Sequence, residues 1–280
     1  MTGERLDQAL ASRGLARSRT HAARLVAAGL VAVDGIETVK VSTRVGEAQT
    51  ITVASTDHYV SRSAHKLVAA LDAFGLAVSG RSALDVGAST GGFTQVLLER
   101  GAASVIALDV GHGQLDESIA SDGRVSVVEG FNARFMTAAS LAEAVAASTS
   151  RAAAPPSRDA IAPVDLVVCD VSFISITTIL AAVRASVRDD ADFVLLVKPQ
   201  FEVGRGGIRE GIVRQAHLRA DAVNAVLWAG WDLGLRTAGA LPSPIVGTAG
   251  NHEYLVRLSQ THGSSPTEWI DEVAAMTEAT

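Results

Sequence analysis

From about residue 64 the chain alternates between short apolar segments and amphipathic helical stretches. Alternation of this kind is typical of a doubly wound α/β domain, in which parallel strands are covered by helices on both faces. The predicted strands cover residues 82–86, 104–110, 125–129, 164–171, 192–198, 235–242 and 252–259. The pattern therefore predicts one large α/β domain built on a single sheet.

The first of these strands runs into the stretch LDVGASTGGFTQVLLERGA at residues 84–102. Small residues in the loop allow a ligand to approach the backbone, and the start of the following helix offers N–H groups to an anionic group. The glycines do not have the G-x-G-x-x-G spacing of a dinucleotide site. The form D-x-G-x-x-x-G-G-F instead resembles motif I of S-adenosylmethionine-dependent methyltransferases.

This resemblance implies S-adenosylmethionine as the cofactor and a Rossmann-like, seven-stranded sheet whose last strand is antiparallel. Asp109 ends the second strand, where a carboxylate can accept both hydroxyls of a ribose. Taken alone, Asp109 could also be an ordinary turn aspartate. Glu129 and Asn132 follow the third strand and could contact the adenine. The predicted cofactor-binding residues are Asp85, Gly87, Ala88, Ser89, Thr90, Gly91, Phe93, Asp109, Glu129, Asn132 and Asp170.

Four charged residues occupy positions that this topology brings together. Lys66 precedes the helix before the first strand, Asp170 and Lys198 end the fourth and fifth strands, and Glu253 begins the last. The carboxyl ends of parallel strands line the ligand crevice of such a sheet, and an antiparallel strand begins at the same edge. Each lysine alone could be an ordinary surface residue.

Together the four resemble the Lys-Asp-Lys-Glu set of ribose 2′-O-methyltransferases. The resemblance implies that Lys198 orients the ribose hydroxyl and helps to deprotonate it. We expect Asp170 and Glu253 to orient Lys198, and Lys66 to add positive potential.

Other methyl acceptors fit the sequence less well. The fourth strand ends in VVCDVSFIS and lacks the Asn/Asp-Pro-Pro-aromatic motif of amine methyltransferases. Cys169 lies inside that strand, which favours a small core residue over the nucleophile of a cytosine C5 methyltransferase. A single cysteine, no apolar signal segment and no apolar run of membrane-spanning length predict a cytoplasmic protein. Metal-binding Cys/His spacing is absent, so no metal is predicted.

The N-terminal stretch RLDQALASRGLARSRTHAARLVAAGLVAVDG predicts two short helices followed by a small sheet with a turn at Asp34-Gly35. It resembles the S4 RNA-binding module. Residues 1–66 carry nine Lys and Arg against six Asp and Glu, whereas the remainder carries 15 against 24. Closely spaced arginines can follow RNA phosphates, although they could also be solvated residues of a helical hairpin. The predicted RNA-binding residues are Arg5, Arg13, Arg17, Arg19, Arg24, Arg62 and Arg205.

The order of these motifs resembles one family over most of the chain. The S4-like module is followed by SRSAHKL, LDVGASTGGFT, LDVGHGQL, VCDVSFIS, VKPQFEVGRGGI and GNHEYLVRL. Together they resemble the TlyA family, bacterial rRNA 2′-O-methyltransferases with an FtsJ-like catalytic domain that are also labelled haemolysin A. The resemblance implies methylation of cytidine ribose in 16S rRNA of the 30S subunit and, in the actinobacterial type, 23S rRNA of the 50S subunit. It also implies a link to susceptibility to capreomycin-type antibiotics.

We expect an S4-like domain at 1–56, a linker at 57–63, the methyltransferase domain at 64–260 and a C-terminal tail at 261–280 that forms a loosely docked helix. Residues 147–163 are rich in Pro and Ala and predict a flexible insertion. Asp57-His58-Tyr59-Val60 stands where the actinobacterial linker usually has Arg-x-Trp-x, and Ser63 stands where the family commonly has glycine.

Two other functions remain open at this point. A methyltransferase of a small molecule or protein would use the glycine loop but would leave the S4-like module and the paired lysines without a role. A membrane-acting cytolysin would need a spanning segment or a long basic amphipathic helix, and the sequence shows neither.

Overall fold

The computed structural model describes residues 3–16, 18–27, 30–37, 40–53, 58–148, 163–204, 207–247 and 250–279, with only the backbone at Arg24 and Glu37. The chain divides into two compact units, residues 1–58 and 59–280. Among the described residues, no helix combines the length and the apolar character needed to cross a bilayer.

In the described part of the first unit there are two helices and five short strands. Leu6, Leu10, Leu25 and Val26 are spaced so that they share one face of their helix, and all four are buried. Ser18 accepts a hydrogen bond from the His21 N–H at 3.1 Å and so caps the second helix. The elements are β1 (Glu4–Arg5), α1 (Leu6–Ser12), α2 (Arg19–Ala27), β2 (Val31–Val33), β3 (Ile36–Glu37), β4 (Arg44–Val45) and β5 (Ile51–Val53).

Strand β2 is central in an antiparallel sheet of order β3-β2-β5. Asp34 and Gly35 join β2 to β3 with φ values of +53° and +81°, the backbone of a type I′ hairpin turn. The alternating stretch VKVSTRV at residues 39–45 predicts a strand, but in the described part of that segment only Arg44–Val45 is a strand, and it pairs with β1.

The second unit is built on a seven-stranded sheet of order β11-β12-β10-β9-β6-β7-β8. Five strands run parallel from β8 to β10, and β12 is antiparallel to both of its neighbours. The expected α/β fold with an antiparallel last strand is confirmed. The strands are β6 (Ser82–Val86), β7 (Ser104–Leu108), β8 (Val125–Val128), β9 (Leu166–Cys169), β10 (Asp192–Val197), β11 (Arg236–Pro242) and β12 (Tyr254–Ser259).

Helices cover both faces of this sheet, which explains why every residue of β6, β9 and β10 is buried. Cys169 belongs to the core on one face, as predicted, and its burial raises the pKa of the thiol. The helices are α3 (Ala64–Ala73), α4 (Gly92–Glu99), α5 (Glu117–Ala120), α6 (Ala138–Ser148), α7 (Ile176–Arg184), α8 (Pro199–Glu202), α9 (Ala216–Asp232) and α10 (Ile270–Glu278).

The register of the strands brings distant parts of the chain to one edge of the sheet. Val86 pairs with Cys169, so the residues that follow β6 and β9 are neighbours. Val197 pairs with Tyr254 in the antiparallel β12, so the end of β10 lies beside the start of β12. The strand ends that the sequence predicted to meet therefore meet at this edge.

The C-terminal segment is more firmly packed than its polar composition suggested. Val273 of α10 is fully buried, and Trp269 and Met276 pack against the core of the sheet. The expectation of a loosely docked helix is therefore wrong in this respect. Helix α6 continues to Ser148, and most of the predicted insertion, residues 149–162, lies outside the described residues.

Candidate active site

The glycine loop after β6 lies against the end of β9. Gly87 has φ +86°, and a Cβ at this position would lie 2.6 Å from the backbone oxygen of Asp170. Only glycine fits both the backbone angle and the contact. Gly91 has φ +96° immediately before α4, and a Cβ there would lie 2.9 Å from a methyl group of Leu115. The two glycines therefore let the loop turn tightly between two packed segments.

A cavity of about 590 Å³ opens beside this loop. Its volume is in the range that holds a small-molecule cofactor. It is lined by the ends of β6, β7 and β9 and by the segment after β8, including Gly87, Ser89, Asp109, Asn132 and Asp170. A second cavity of about 150 Å³ is lined by Ala88, Thr90 and Phe93 as well as Gly87, Ser89 and Asp170. Most of the predicted cofactor-binding residues thus surround one continuous region.

Asp109 stabilises the loop as well as lining the larger cavity. Its carboxylate accepts hydrogen bonds from the Ser89 N–H at 2.8 Å and the Gly111 N–H at 2.7 Å. The Asn132 side-chain oxygen accepts a hydrogen bond from the Arg134 N–H at 3.0 Å, which starts a turn of 3₁₀ helix at Ala133–Phe135. Both side chains are fixed in place by the backbone next to the cavity.

Three predicted cofactor-binding residues, Gly91, Glu129 and Asp85, line neither of these cavities. The Glu129 carboxylate accepts a hydrogen bond from the Gly113 N–H at 2.7 Å. Asp85 is fully buried behind the loop, where Thr94 donates a hydrogen bond to its Oδ2 at 2.7 Å. Burial, and to a smaller extent the nearby Asp170 and Asp109, raise the pKa of Asp85 to about 7. Asp85 is placed to support the loop from beneath.

The four charged residues singled out in the sequence line a third cavity, of about 500 Å³. Lys198 Nζ lies 2.6 Å from Asp170 Oδ1, and Lys66 Nζ lies 2.5 Å from Glu253 Oε2. All four side chains are largely shielded from solvent, and the most exposed, Asp170, is 16% accessible. The structure thus contains two ion pairs in one cavity.

This pairing differs in one detail from the arrangement that the sequence predicts. Glu253 was expected to orient Lys198, but its carboxylate pairs with Lys66. The second partner of Lys198 is instead Ser172, whose hydroxyl accepts a hydrogen bond from Nζ at 2.9 Å. Pro199 occupies the first turn of the short helix α8, which begins directly after Lys198. The lysine is therefore held between β9 and the start of α8.

Three residues near the charged set were not predicted from the sequence. Ser172 lines all three cavities. Phe173 lines the cofactor-sized cavity of about 590 Å³ and the cavity that holds the ion pairs. Phe173 has φ +66°, and its side chain is 91% exposed, an unusual conformation for an aromatic residue. Asn251 is buried beside Glu253. In the sequence, only one property connected these three residues to the site: Ser172 and Phe173 follow Asp170 in VCDVSFIS, and Asn251 precedes Glu253 in GNHEYL.

The structure describes the side chains of four of the seven predicted RNA-binding arginines. Arg5 and Arg19 approach Asp7 at 3.0 and 2.9 Å, and they lower the pKa of its carboxyl to about 2. Arg13 donates to the backbone oxygens of Gln49 and Gly46. Arg62, in the second unit, is exposed and lines the cavity of the ion pairs. Arg17, Arg205 and the side chain of Arg24 lie outside the described residues.

The arrangement places a cofactor-sized cavity next to a cavity that holds two buried lysines. Asp170 and Ser172 contribute to both. A nucleophile bound beside Lys198 would therefore lie close to a ligand bound beside the glycine loop. This geometry suits transfer of a group from a cofactor to an acceptor whose proton a lysine can manage.

Comparisons with known proteins agree with this division of the chain. Residues 59–260 match the FtsJ-like methyltransferase family, and residues 4–51 match the S4 domain. The protein named 16S/23S rRNA (cytidine-2′-O)-methyltransferase TlyA in Mycobacterium tuberculosis is 48% identical over 257 residues, which cover 91% of this chain and 89% of that protein.

Proteins named hemolysin are also similar to this chain. Hemolysin A of Brachyspira hyodysenteriae is 37% identical, with coverage of 90% of this chain and 98% of that protein. A solved hemolysin structure from Streptococcus thermophilus has a TM-score of 0.72 and 34% identity, covering 100% of this chain and 97% of that one. The methyltransferase and hemolysin names thus fall on relatives that share nearly the whole length of the chain. The chain belongs to the TlyA family of FtsJ-like methyltransferases.

Proposed function

We propose that this protein transfers a methyl group from S-adenosylmethionine to the 2′-hydroxyl of a cytidine ribose in ribosomal RNA. The observation that carries the proposal is the pair of buried Lys–carboxylate ion pairs in a single cavity next to the cofactor-sized one. The similarity to the TlyA protein of M. tuberculosis supports the same substrate.

The residues beside the glycine loop fit the cofactor. Gly87 lines both cavities beside the loop, and because it has no side chain its backbone is open to close approach by a ligand. Asp109 keeps a carboxylate at the cavity wall, where it can accept hydrogen bonds from ribose hydroxyls, and Asn132 lies further along the same wall. S-adenosylmethionine, when bound, supplies a methyl group activated by its sulfonium. Three further predicted cofactor-binding residues, Ala88, Thr90 and Phe93, line the cavity of about 150 Å³ together with Lys198.

Lys198 has the most direct role in handling the acceptor. Methylation of a hydroxyl leaves one proton to remove, and the amine of Lys198 is the basic group that lies between the two cavities. Asp170 and Ser172 fix the position of this amine. Lys66 and Glu253 line the same cavity, where Lys66 would add positive potential near the ribose and the adjoining phosphate.

Phe173 provides a surface for the base of the target nucleotide. Its ring is exposed at the mouth of the two cavities and lies 5.3 Å from the ring of Phe201. The positive φ of Phe173 keeps its ring in solvent, so the ring contributes little to the hydrophobic core. Stacking of a base on such a ring contributes about 1–3 kcal/mol. The base would leave its ribose directed towards Lys198.

The S4 domain, with Arg5, Arg13 and Arg19, supplies a second contact with RNA. Contacts of guanidinium groups with phosphates contribute affinity without sequence preference. We expect 16S rRNA in the 30S subunit to be a substrate, and 23S rRNA in the 50S subunit as well. Because ribosomes are the substrate, we expect the protein to act in the cytoplasm.

The proposal is tested by methyl transfer from tritiated S-adenosylmethionine to purified 30S and 50S subunits from a strain that lacks this methyltransferase. Label should appear in rRNA, and nuclease digestion should recover it in 2′-O-methylcytidine. Subunits that accept no label, while a small molecule or a protein does, would contradict the proposed substrate. Lysis of erythrocytes at equal rates by wild type and Lys198→Ala would assign the hemolysin name to a property unrelated to this site.

A further inference from the structure

A tight hairpin lies at the edge of the cavity that holds the ion pairs. Arg209 and Ile212 exchange two backbone hydrogen bonds, of 3.1 and 2.9 Å. Between them Glu210 and Gly211 have φ values of +52° and +80°, the conformation of a type I′ turn. Gly211 lines the cavity itself. The two backbone hydrogen bonds and the turn geometry define the path of the backbone through this hairpin.

Asn251 attaches this hairpin to the wall of the cavity. Its side-chain oxygen accepts a hydrogen bond from the Val213 N–H at 3.0 Å, and its side-chain nitrogen donates to the Gly211 oxygen at 2.8 Å. Asn251 is 2% exposed, lines the same cavity and lies two residues before Glu253. A buried amide with both ends bonded maintains one geometry. The hairpin and the ion pair of Glu253 are therefore fixed to the same short segment.

The hairpin carries positive charge that the protein does not neutralise. Arg209 is exposed, and its side chain has no hydrogen bond or ion pair with any residue that the structure describes. Arg214, one residue beyond the segment held by Asn251, is 64% exposed and approaches Glu210 at 3.3 Å. An exposed pair of this kind contributes little to stability, and a phosphate can replace it. The lysines inside the cavity, by contrast, each have a carboxylate partner.

We propose that the Arg209–Ile212 hairpin is an arm that binds the RNA backbone beside the target nucleotide, with Arg209 and Arg214 contacting phosphates and Asn251 fixing the arm to the cavity. This inference rests on the proposed function and adds a substrate-binding element to it. Guanidinium groups bind phosphate through two parallel hydrogen bonds, so a rigid arm of this kind positions the strand as well as attracting it. The ligand chemistry is a phosphodiester of single-stranded or locally opened RNA.

The test compares Arg209→Ala with a matched control, Arg236→Ala. Arg236 is also exposed, but it begins β11 and pairs with Ser259, at the opposite edge of the sheet. Methyl transfer to 30S and 50S subunits is measured with each variant at several salt concentrations. For Arg209→Ala we expect KM for the subunit to rise about three- to ten-fold and the slope of log KM against log salt to fall by about one. The kcat value and the affinity for S-adenosylmethionine should stay within two-fold of wild type.

A second variant tests the attachment. Asn251→Ala should raise KM for the subunit to a similar extent, and the double variant with Arg209→Ala should add little, because both changes remove the same contact. Equal KM values for Arg209→Ala and Arg236→Ala would overturn the proposal. To separate this from failure of the proposed function, binding of each variant to the same subunits is also measured in the Lys198→Ala background. That measurement reports on the arm even if wild type transfers no methyl group to rRNA.

Discussion

Lys198 Nζ lies 2.6 Å from Asp170 Oδ1, and the two residues follow neighbouring parallel strands, β10 and β9. This contact joins the wall of the cofactor-sized cavity to the wall of the cavity that holds the ion pairs. We expect Lys198→Ala to lower kcat for rRNA methylation by at least about 10²-fold, the usual effect of losing a general acid or base. The affinity for S-adenosylmethionine, measured by calorimetry, should change less than three-fold.

The variant Lys198→Arg tests whether Lys198 acts through its positive charge or by accepting a proton. A guanidinium can keep the ion pair with Asp170 but does not give up or take a proton near neutral pH. We therefore expect this variant to have the thermal stability of wild type and the activity of Lys198→Ala. Substantial activity in Lys198→Arg would show that the residue acts through its positive charge and not as a base.

The ion pair of Lys66 and Glu253 has a different expected signature. Both side chains are at least 93% buried, so removal of one partner leaves an uncompensated buried charge. Lys66→Met and Glu253→Leu should each lower the free energy of unfolding by about 3–5 kcal/mol, measured by urea denaturation. The double variant Lys66→Met/Glu253→Leu should recover most of that loss while remaining inactive. Additive losses in the double variant would mean that the two residues are not coupled.

Asp85 makes stability depend on pH. Its pKa in the folded protein is raised from 3.8 to about 7, chiefly by burial, so the folded state holds this proton more tightly than the unfolded state. The resulting stabilisation, about 4 kcal/mol at most, is complete below pH 4 and is lost as the pH rises to about 7. In Asp85→Asn this contribution disappears. Urea denaturation between pH 5 and 8 should therefore show a flatter pH dependence for Asp85→Asn than for wild type, and parallel curves would contradict the expectation.

Phe173 should matter for activity and not for stability. Its side chain is 91% exposed, and its φ of +66° is strained, so Phe173→Ala should leave the thermal midpoint within a few degrees of wild type. Loss of base stacking should lower kcat/KM for rRNA about 5- to 150-fold, which corresponds to 1–3 kcal/mol. Phe135→Ala is the matched control, since this ring is also exposed but lines none of the three cavities. Equal activity in the two variants would remove the stacking role.

Asp109 and Glu129 can be told apart by their effect on the cofactor. Asp109 lines the larger cavity and holds the loop through the Ser89 N–H, so Asp109→Ala should raise the Kd for S-adenosylmethionine by about ten-fold or more. Glu129→Ala should change the Kd less, because that carboxylate bonds the Gly113 N–H and does not line the cavity. The reverse order of effects, measured by calorimetry, would restore Glu129 as the direct ligand.

The sequence contained most of the information about where the strands end. Period and composition predicted all seven strands of the large sheet, because buried parallel strands are continuous apolar runs bounded by polar residues. The positions of Gly87, Asp109 and the four charged residues followed from these ends, since carboxyl ends of parallel strands share one edge.

Other features depend on packing that a linear pattern does not contain. Strand β12 inserts next to β10 and brings Glu253 towards Lys66. This packing decides which carboxylate pairs with which lysine. Single residues such as Ser172 and Asn251 carry no periodic signal. The C-terminal segment looked loosely attached because its polar residues outnumber Val273 and Trp269, which account for most of its packing.

The order of the strands in the sheet has a consequence for synthesis of the protein. Strand β12 is the last to be made, yet it inserts between β10 and β11, which until then have no partner along those edges. The contact of Lys66 with Glu253 spans 187 positions, so a nascent chain carries the glycine loop long before its acceptor cavity is complete. Translation past residue 253 is therefore needed before both ion pairs can form, and we expect premature termination before that residue to yield an inactive chain with open strand edges that favour aggregation.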